Sequence, residues 1–478
     1  MKSMQKPIRT MVSAAVVSMM AVSAANAGAF SLYTESAGYV IGNYAAGAAA
    51  EAADASTGWY NPAGLALLHN QQIVTGGVGV FPSSKLSGTS TFRSFSGLPF
   101  PSNLNIQTFN DLQGAKSAFV PSFHYALPLT DRATFGLSIV SPFGLSTEWA
   151  RNEPMRYQGT FSELITTTIS PEIGGMITDN LSLGAGIDLQ YARVKFNSVL
   201  GVPTVAFAIT RNSYGLDSPS YNKGNSTGVG FHAGAMYMFN DNHSRLGLNY
   251  QSKMNHTFHG YSRLSGPLAT PGLNLTNPRS VIFACNTCTF TSHNLSSNNL
   301  DFPEIVTLSG YHDVNDKLAL LGSVVYTGWH SIRTIELRNV AAFSQGIGQV
   351  KANSISNEYY DNAWRAAIGA NYKFTDQWML RVGGGYDQTP TTDENRTVRL
   401  PDADRWALSV GGHYQWRSDI GFDAGWTHLF AAGDPTLNKN QTTSSFTTNV
   451  NATAKVRADL VGVQATWTMD QVAPVPTK

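Results

Sequence analysis

The chain has 478 residues and is poor in charge, in cysteine and in long apolar runs. Charged residues make up only 13%, about half the share usual in soluble domains, and the net charge is +1. Beyond residue 27, no apolar run reaches the roughly 18 residues that a membrane-spanning helix needs, so a membrane would have to be crossed by strands. No basic run is interleaved with aromatic residues, and nothing indicates nucleic-acid binding.

The first 27 residues have the features of an export signal. A basic start is followed by an apolar stretch over residues 12–22 and by the small-residue pattern Ala25-Asn26-Ala27. This arrangement predicts a secretory signal peptide over residues 1–27, so that the mature chain begins at Gly28.

The only two cysteines are Cys285 and Cys288, in the run ACNTCTFTSH. In an exported protein we expect a local disulfide between them. The alternative is a metal site completed by His293, which would lack a fourth ligand nearby. We therefore predict no metal and no cofactor.

Residues 71–469 read as about fourteen short segments of alternating polarity. The connections alternate between tight turns rich in Asp and Asn, such as 178–180 and 375–377, and long loops, placed at about 82–117, 198–226 and 263–302 among others. Short turns at one end and long loops at the other are typical of an all-β, antiparallel transmembrane barrel of the bacterial outer membrane.

The alternation assigns residues to the two faces of the barrel wall. Over Leu181–Tyr191 the apolar odd-numbered residues form the lipid face, and Arg193 and Lys195 continue it, so we expect both to contact outer-membrane lipid head groups. Trp378 and Trp406 belong to two aromatic girdles on the same face. The opposite parity predicts these lumen charges: Asp188, Arg365, Arg381, Arg405 and Asp423.

A barrel of this size lies between small ones that side chains fill and large ones that hold an aqueous channel. The Ala-rich stretch Tyr44 to Ser56 predicts a short helical plug, in which Glu51 and Asp54 meet the lumen arginines. The alternative is a flexible periplasmic tail.

The third strand, residues 134–149, contains Pro142 and Gly144. Proline gives no N–H to a sheet ladder, and glycine inside a strand marks a bulge or bend. The pair predicts an interrupted ladder and an opening in the wall. The alternative is that Pro142 ends the strand before an external loop.

Several motifs in this order resemble the FadL family of outer-membrane transporters for long-chain fatty acids and other hydrophobic compounds. They are Gly28-Ala29-Phe30, Asp54-Ala55-Ser56, Asn61-Pro62-Ala63-Gly64, Ser141–Glu148, and the closing strand Ala458–Trp467. The resemblance implies a hatch over residues 28–70, which includes Phe30, Asp54, Asn61, Pro62, Ala63 and Gly64. It also implies a lateral opening at Pro142, Phe143 and Gly144, through which a hydrophobic ligand passes into the bilayer without a cofactor.

The sequence departs from the family in two places. Ser198 and Ser356 stand where the fatty-acid transporters place basic residues, so an aromatic hydrocarbon is also a credible ligand. Met469 stands where a terminal aromatic is usual, ahead of a predicted periplasmic tail, 470–478. We expect a monomer that is inserted by the barrel assembly machinery.

Other functions are less well supported. Gly224–Gly228 fits G-x-S-x-G but lacks the strand-turn-helix setting of that motif, so we predict no enzyme activity. A polar-solute porin would need an open lumen without a hatch. A role of the long loops as a surface adhesin or phage receptor is compatible with transport.

Overall fold

A computed structural model describes residues 31–94, 104–345, 347–442 and 446–469; the predicted signal peptide, Phe30 and the predicted tail lie outside them. The strands are β1 (Gln71–Ser94), β2 (Leu104–Gln113), β3 (Ala118–Thr130), β4 (Ala133–Val140), β5 (Gly144–Glu148), β6 (Phe161–Met176), β7 (Leu181–Leu200), β8 (Ser218–Phe239), β9 (Ser244–Gln251), β10 (Met254–Ser265), β11 (Thr289–Phe302), β12 (Ile305–Asp313), β13 (Leu318–Thr327), β14 (Thr334–Ser344), β15 (Gly348–Asn357), β16 (Ala363–Lys373), β17 (Trp378–Asp387), β18 (Arg405–Arg417), β19 (Ile420–Ala431), β20 (Thr436–Thr442) and β21 (Phe446–Met469).

The helices are short. They are α1 (Ala48–Glu51), α2 (Thr57–Tyr60), α3 (Pro203–Thr210) and α4 (Pro278–Ile282), with 3₁₀ helices at Tyr39–Asn43, Pro62–Leu67, Pro267–Ala269 and Trp329–Ser331. Across the described ranges, no helix is both long and apolar enough to cross a membrane.

The strands form one antiparallel sheet that closes on itself, because β1 pairs with β3 on one side and with β21 on the other. The closed ring has fourteen positions, which confirms the predicted fourteen-stranded antiparallel barrel. Two consecutive segments share a position in the pairs β4/β5, β9/β10 and β11/β12. Strands β2, β14, β15 and β20 extend beyond the ring as external hairpin arms.

The connections alternate in length as predicted. The short turns are 131–132, 177–180, 240–243, 314–317, 374–377 and 418–419. The predicted limits of the long loops were wrong, since β1 continues to Ser94, β8 already begins at Ser218 and β11 at Thr289. The sequence did not reveal these extensions because their outward-facing residues are not apolar: a paired strand outside the bilayer faces water and not lipid.

The two faces of the wall follow the predicted alternation. On β7, Leu183, Ile187 and Leu189 are about half exposed on the outside, whereas Asp188 and Gln190 are buried. The aromatic rows also face outward, as in the stacked pair of Trp378 and Tyr414, whose ring centroids are 4.3 Å apart.

The amino-terminal segment, residues 31–70, lies within the ring. Its first 3₁₀ helix contacts β16 to β19 and β21, α1 contacts β9, β12 and β13, and its second 3₁₀ helix contacts β4 and β6 to β8. Nearly all side chains from Leu32 to Leu68 are buried.

The expectation of a helix over Tyr44 to Ser56 was largely wrong, because only Ala48–Glu51 is α-helical. Gly47 (φ 74°) and Ala52 (φ 48°) have left-handed backbones on either side and end the helix. The backbone N–H groups of Gly47 and Ala49 donate to Ser323 Oγ (2.8 Å) and Ser309 Oγ (3.2 Å) of the wall. Bonds to the barrel thus replace bonds that a longer helix would make.

Candidate functional site

The third position of the ring is broken between β4 and β5. Along β3, the last ladder pair is Phe123 with Ile139, and the next bridge is Ala115 with Thr147. Between them, the described edges 116–122 and 140–146 form no pairs with each other. We call this interruption the strand gap. Pro142, Phe143 and Gly144 all lie on one of its edges.

The other side of the broken strand stays attached to β6 through a bulge. Val140 pairs with Thr168 and Gly144 with Ile165, so three residues stand opposite two. The Thr166 side chain closes this bulge: the Phe143 N–H donates to Thr166 Oγ1 (3.1 Å), and the Thr166 hydroxyl donates to the Phe143 carbonyl (2.7 Å). The bulge therefore satisfies the backbone hydrogen-bonding groups that face β6, whereas the edge that faces β3 has no ladder partners.

Two contributors to the gap were missed from the sequence. Thr166 gains its role only through the register of β6, which no local pattern shows. Pro121 lies on the opposite edge and also lacks an N–H. The sequence signal that could have revealed this edge was a second proline, Pro121, on the strand opposite Pro142.

Phe143 points into the barrel and is buried. It belongs to the largest apolar group in the lumen, which we call the lumen cluster; the buried members are Phe143, Leu145, Leu164, Ala192, Val194, Met254, Phe258, Leu300, Phe302, Ile305, Val325, Trp329, Ile332, Tyr360, Ala363 and Leu400. These side chains come from strands and loops far apart in sequence, so periodicity could not identify them.

Aromatic contacts connect the two ends of the lumen cluster. The Phe143 ring lies 6.1 Å from Trp329, and Trp329 lies 6.3 Å from Tyr360, both edge-on. Phe143 also packs on Phe302 at 5.0 Å. A continuous series of apolar contacts therefore runs from the external connection before β16 to the strand gap.

Basic groups lie at the external end of the cluster, on loops where the sequence did not predict them. Arg399 precedes Leu400 of the cluster, donates to Ser162 Oγ (2.8 Å) and lies 5.7 Å from the Phe196 ring. Desolvation lowers its pKa to about 10. Lys439 of β20 donates to Asn395 Oδ1 at 3.0 Å, and burial also lowers its pKa.

Glu358 is the carboxylate near these two cations. Its side chain is buried and accepts a hydrogen bond from the Ser356 hydroxyl (2.6 Å). Burial raises its pKa, and the opposing influences are hydrogen bonds from Ser356 and Tyr360 and the charges of Lys439 and Arg399. Ser356 is thus a partner of Glu358, and positive charge reaches this end of the lumen from Arg399 and Lys439 instead.

The inner end of the cluster rests on the amino-terminal segment. Tyr33 packs against it, and its hydroxyl forms a 2.9 Å hydrogen bond with Thr307 Oγ1 of β12. Arg365 lies beside a cavity of about 30 Å³, room for a water molecule.

The motif Asn61-Pro62-Ala63-Gly64 fixes the end of the segment. Asn61 Nδ2 donates to the Ala49 carbonyl (2.7 Å) and to the Ala235 carbonyl of β8 (3.1 Å), while its Oδ1 accepts from the Ala63 N–H. A Cβ at Gly184 of β7 would lie 2.3 Å from the Pro62 carbonyl carbon, so only glycine fits there.

Arg381 joins the segment to the wall. Its Nη1 lies 2.7 Å from Glu51 Oε1, and its Nη2 lies 3.4 Å from Asp423 Oδ1. Asp54, expected to meet an arginine as well, instead accepts hydrogen bonds from Ser56 and from Gln464 Nε2 (2.6 Å).

The other lumen charges are also buried. Arg405 pairs with Asp387 (2.8 Å) and Asp402 (3.1 Å), carboxylates that the sequence analysis did not select. Arg365 donates to the carbonyl of Tyr44 and lies 3.9 Å from the centre of that ring.

Asp188 lies apart from these arginines. Its Oδ1 accepts from Ser170 (2.6 Å) and lies 2.9 Å from Nδ1 of His232. The other ring nitrogen of His232 is 3.2 Å from the carbonyl of Gly58 in the segment. Each predicted lumen charge thus has a partner on the segment or on the wall.

Two other sequence expectations concern chemistry outside the lumen. Cys285 and Cys288 are bonded to each other, as expected. The residues Gly224–Gly228 lie inside β8, so the long loop predicted at about 198–226 does not include Gly224.

The family model described as "Outer membrane protein transport protein (OMPP1/FadL/TodX)" matches residues 17–469. The chain belongs to this family. FadL-family membership makes it a transport protein of the Gram-negative outer membrane and not an enzyme.

Individual relatives are distant but cover most of this FadL-family chain. The long-chain fatty acid transport protein of Salmonella typhi is 28% identical over 397 residues, which are 81% of this chain and 84% of the relative. The structure of a Pseudomonas aeruginosa FadL homologue aligns with a TM-score of 0.75 and 24% identity, covering 92% of this chain and 99% of the other. The Ralstonia pickettii toluene transporter TbuX has a TM-score of 0.59 and 16% identity, covering 91% and 99%.

Proposed function

We propose that this protein takes up hydrophobic compounds that carry a carboxylate, long-chain fatty acids first among them. The ligand enters from the external loops, binds in the lumen cluster and leaves sideways through the strand gap into the bilayer. The name of the Salmonella typhi relative supports the ligand class.

One observation carries the proposal: Phe143 belongs both to the lumen cluster and to the edge of the strand gap. Through Trp329 and Tyr360, the same series of apolar contacts reaches the external end. Each buried methylene contributes about 0.8 kcal/mol, so a long alkyl chain binds by its tail.

Arg399 and Lys439 are the proposed contacts for the carboxylate. Both are partly buried cations at the external end of the cluster, and no carboxylate lies within 4.0 Å of either among the described residues. A charged hydrogen bond contributes about 1.5–3 kcal/mol, enough to favour a fatty acid over a hydrocarbon of equal size.

We propose that residues 28–70 act as a hatch that closes the lumen toward the periplasm. Asp54, Asn61, Pro62, Ala63 and Gly64 belong to its anchoring turns; Phe30, also assigned to the hatch from the sequence, lies outside the described residues. The lumen charges, foremost Arg381 through its ion pair with Glu51 of the hatch, would hold the hatch in place. We further propose that the protein works as a monomer inserted by the barrel assembly machinery.

Binding of oleate to the purified protein in detergent tests the head-group assignment. We expect Arg399→Gln to weaken oleate binding by about 10- to 100-fold, the equivalent of one charged hydrogen bond. Arg151→Gln is the matched control, because Arg151 is exposed on the external loop 149–160. It should bind as the parent does.

A second ligand separates the two hydrophobic classes. Toluene lacks a carboxylate, so its binding should be unaffected by Arg399→Gln. The aromatic path in the lumen cluster favours this ligand as the second candidate. Oleate affinity that is unchanged in Arg399→Gln, together with tight toluene binding, would replace fatty acids by aromatic hydrocarbons as the preferred class.

A further inference from the structure

A group of basic side chains lies on the outer wall of the barrel just above its apolar belt. On β7 the outward row Ile187, Leu189 and Tyr191 is followed by Arg193 and Lys195. Arg193 is two residues beyond Tyr191, which is about 7 Å along a strand. The polarity of the wall therefore changes from apolar to cationic within one head-group depth.

The neighbouring strands extend the cationic surface. Lys223 of β8 stands directly opposite Lys195 in the ladder. On β10, Tyr261 is opposite Lys223, and Arg263 is opposite Tyr221. The Arg263 guanidinium lies 5.8 Å from the centre of the Tyr221 ring. We call Arg193, Lys195, Lys223 and Arg263 the outer basic patch.

The patch has too little negative charge of its own. Glu163 of β6 is shared by Arg193 Nη2 (3.0 Å) and Lys195 Nζ (2.9 Å). Within the described chain, Lys223 and Arg263 have no carboxylate within 4.0 Å. Like charges directly opposite each other on adjacent strands destabilise the pairing, and Glu163 offsets the charge of Lys195 but not that of Lys223.

We propose that the outer basic patch binds the phosphomonoester head group of a lipid in the outer leaflet. A phosphate presents three acceptor oxygens, which suit an arginine fork and the lysine ammonium groups. The source is a lipid because the exposed apolar side chains Leu189, Val229 and Phe231 lie on the same outward face, further along the strands on the membrane side of the patch, and would contact the acyl chains.

Native mass spectrometry of the full-length protein in mixed micelles tests this site. The probes are dipalmitoyl phosphatidate, which carries a phosphomonoester, and dipalmitoyl phosphatidylcholine, which does not. We expect retained phosphatidate and little phosphatidylcholine. Since each basic residue at a membrane surface contributes roughly a fivefold factor, Lys195→Gln/Lys223→Gln/Arg263→Gln should bind phosphatidate about a hundredfold more weakly.

The matched control removes one arginine and two lysines at the opposite end of the barrel, as Arg132→Gln/Lys317→Gln/Lys373→Gln. It should retain phosphatidate. Heat-modifiability on gels checks that both triple variants fold. If the patch variant does not fold, added salt should displace phosphatidate from the parent instead, because screening weakens exposed ionic contacts.

Three results would overturn the proposal. They are equal retention of both lipids by the parent, undiminished phosphatidate in a folded patch variant, and displacement of phosphatidate by inorganic phosphate at equal concentration. The last result would mean that the patch recognises a free anion and gains nothing from the acyl chains.

Discussion

Individual side chains decide the character of both ends of the proposed ligand path. At the gap, Thr166 satisfies the Phe143 backbone through two hydrogen bonds and holds the bulge in one geometry. At the external end, Glu358 is the carboxylate that acts on Arg399 and Lys439 among the described residues. A ligand carboxylate would compete with the Glu358 carboxylate for the positive charges of Arg399 and Lys439.

This competition predicts a pH dependence of binding. Burial raises the Glu358 pKa, so the side chain becomes neutral as pH falls through a range above that of a free glutamate. Once Glu358 is neutral, it no longer offsets the positive charges of Arg399 and Lys439, and an anionic ligand is attracted to them more strongly. We expect the affinity for dodecyl sulfonate, whose charge does not titrate here, to rise as pH falls from about 8 to about 5.

Glu358→Gln isolates the effect, since it removes the titrating group and keeps the shape. The variant should bind dodecyl sulfonate tightly at both ends of this pH range, as measured by titration calorimetry. A pH dependence that persists in Glu358→Gln would mean that another group controls binding.

At the scale of elements, the sequence predicted the features that depend on residues adjacent along the chain. The alternation over Leu181–Tyr191 and the break at Pro142 and Gly144 follow from strand geometry and from the missing proline N–H. The segment at 44–56 was predicted less well, because bonds from Ser309 and Ser323 of the wall compete with local helix formation. Arg399 was missed because its loop meets the lumen only in the folded barrel.

The amino-terminal segment makes a prediction about permeability. Because it fills the lumen and contacts strands around the ring, deletion of Tyr44–Ser56 should leave a water-filled path. Planar-bilayer recordings should show larger and more frequent conductance steps than the parent.

Ala53→Ser is the control for this deletion, since Ala53 is an exposed residue of the segment and the exchange keeps the segment intact. We expect its conductance to stay close to that of the parent. A folded deletion variant that conducts no more than the parent would show that residues 44–56 do not close the lumen.

For the whole molecule, we propose that the ligand leaves through the wall of the barrel. In this proposal, the segment obstructs the way down, the lumen cluster holds the ligand, and the ligand leaves into lipid through the strand gap beside Phe143. The pairs Phe123–Ile139 and Ala115–Thr147 follow the same register on either side of the strand gap. The two edges of the gap are therefore aligned and could pair if each residue had a backbone N–H to donate.

The most direct test is therefore to close the strand gap. Pro142→Val/Gly144→Thr restores the missing N–H and favours strand pairing opposite residues 116–122. Oleate uptake is measured in cells that lack other channels for hydrophobic compounds, with heat-modifiability and oleate binding to the purified protein as folding controls. The matched variant Pro128→Val/Gly433→Thr makes the same exchanges away from the gap, and a Cβ at Gly433 meets nothing within 4 Å.

We expect the gap variant to bind oleate as the parent does but to lose most of its uptake, whereas the matched variant should transport normally. Undiminished uptake by a well-folded gap variant would contradict this expectation, because the ligand would then leave by another route, downward past the amino-terminal segment.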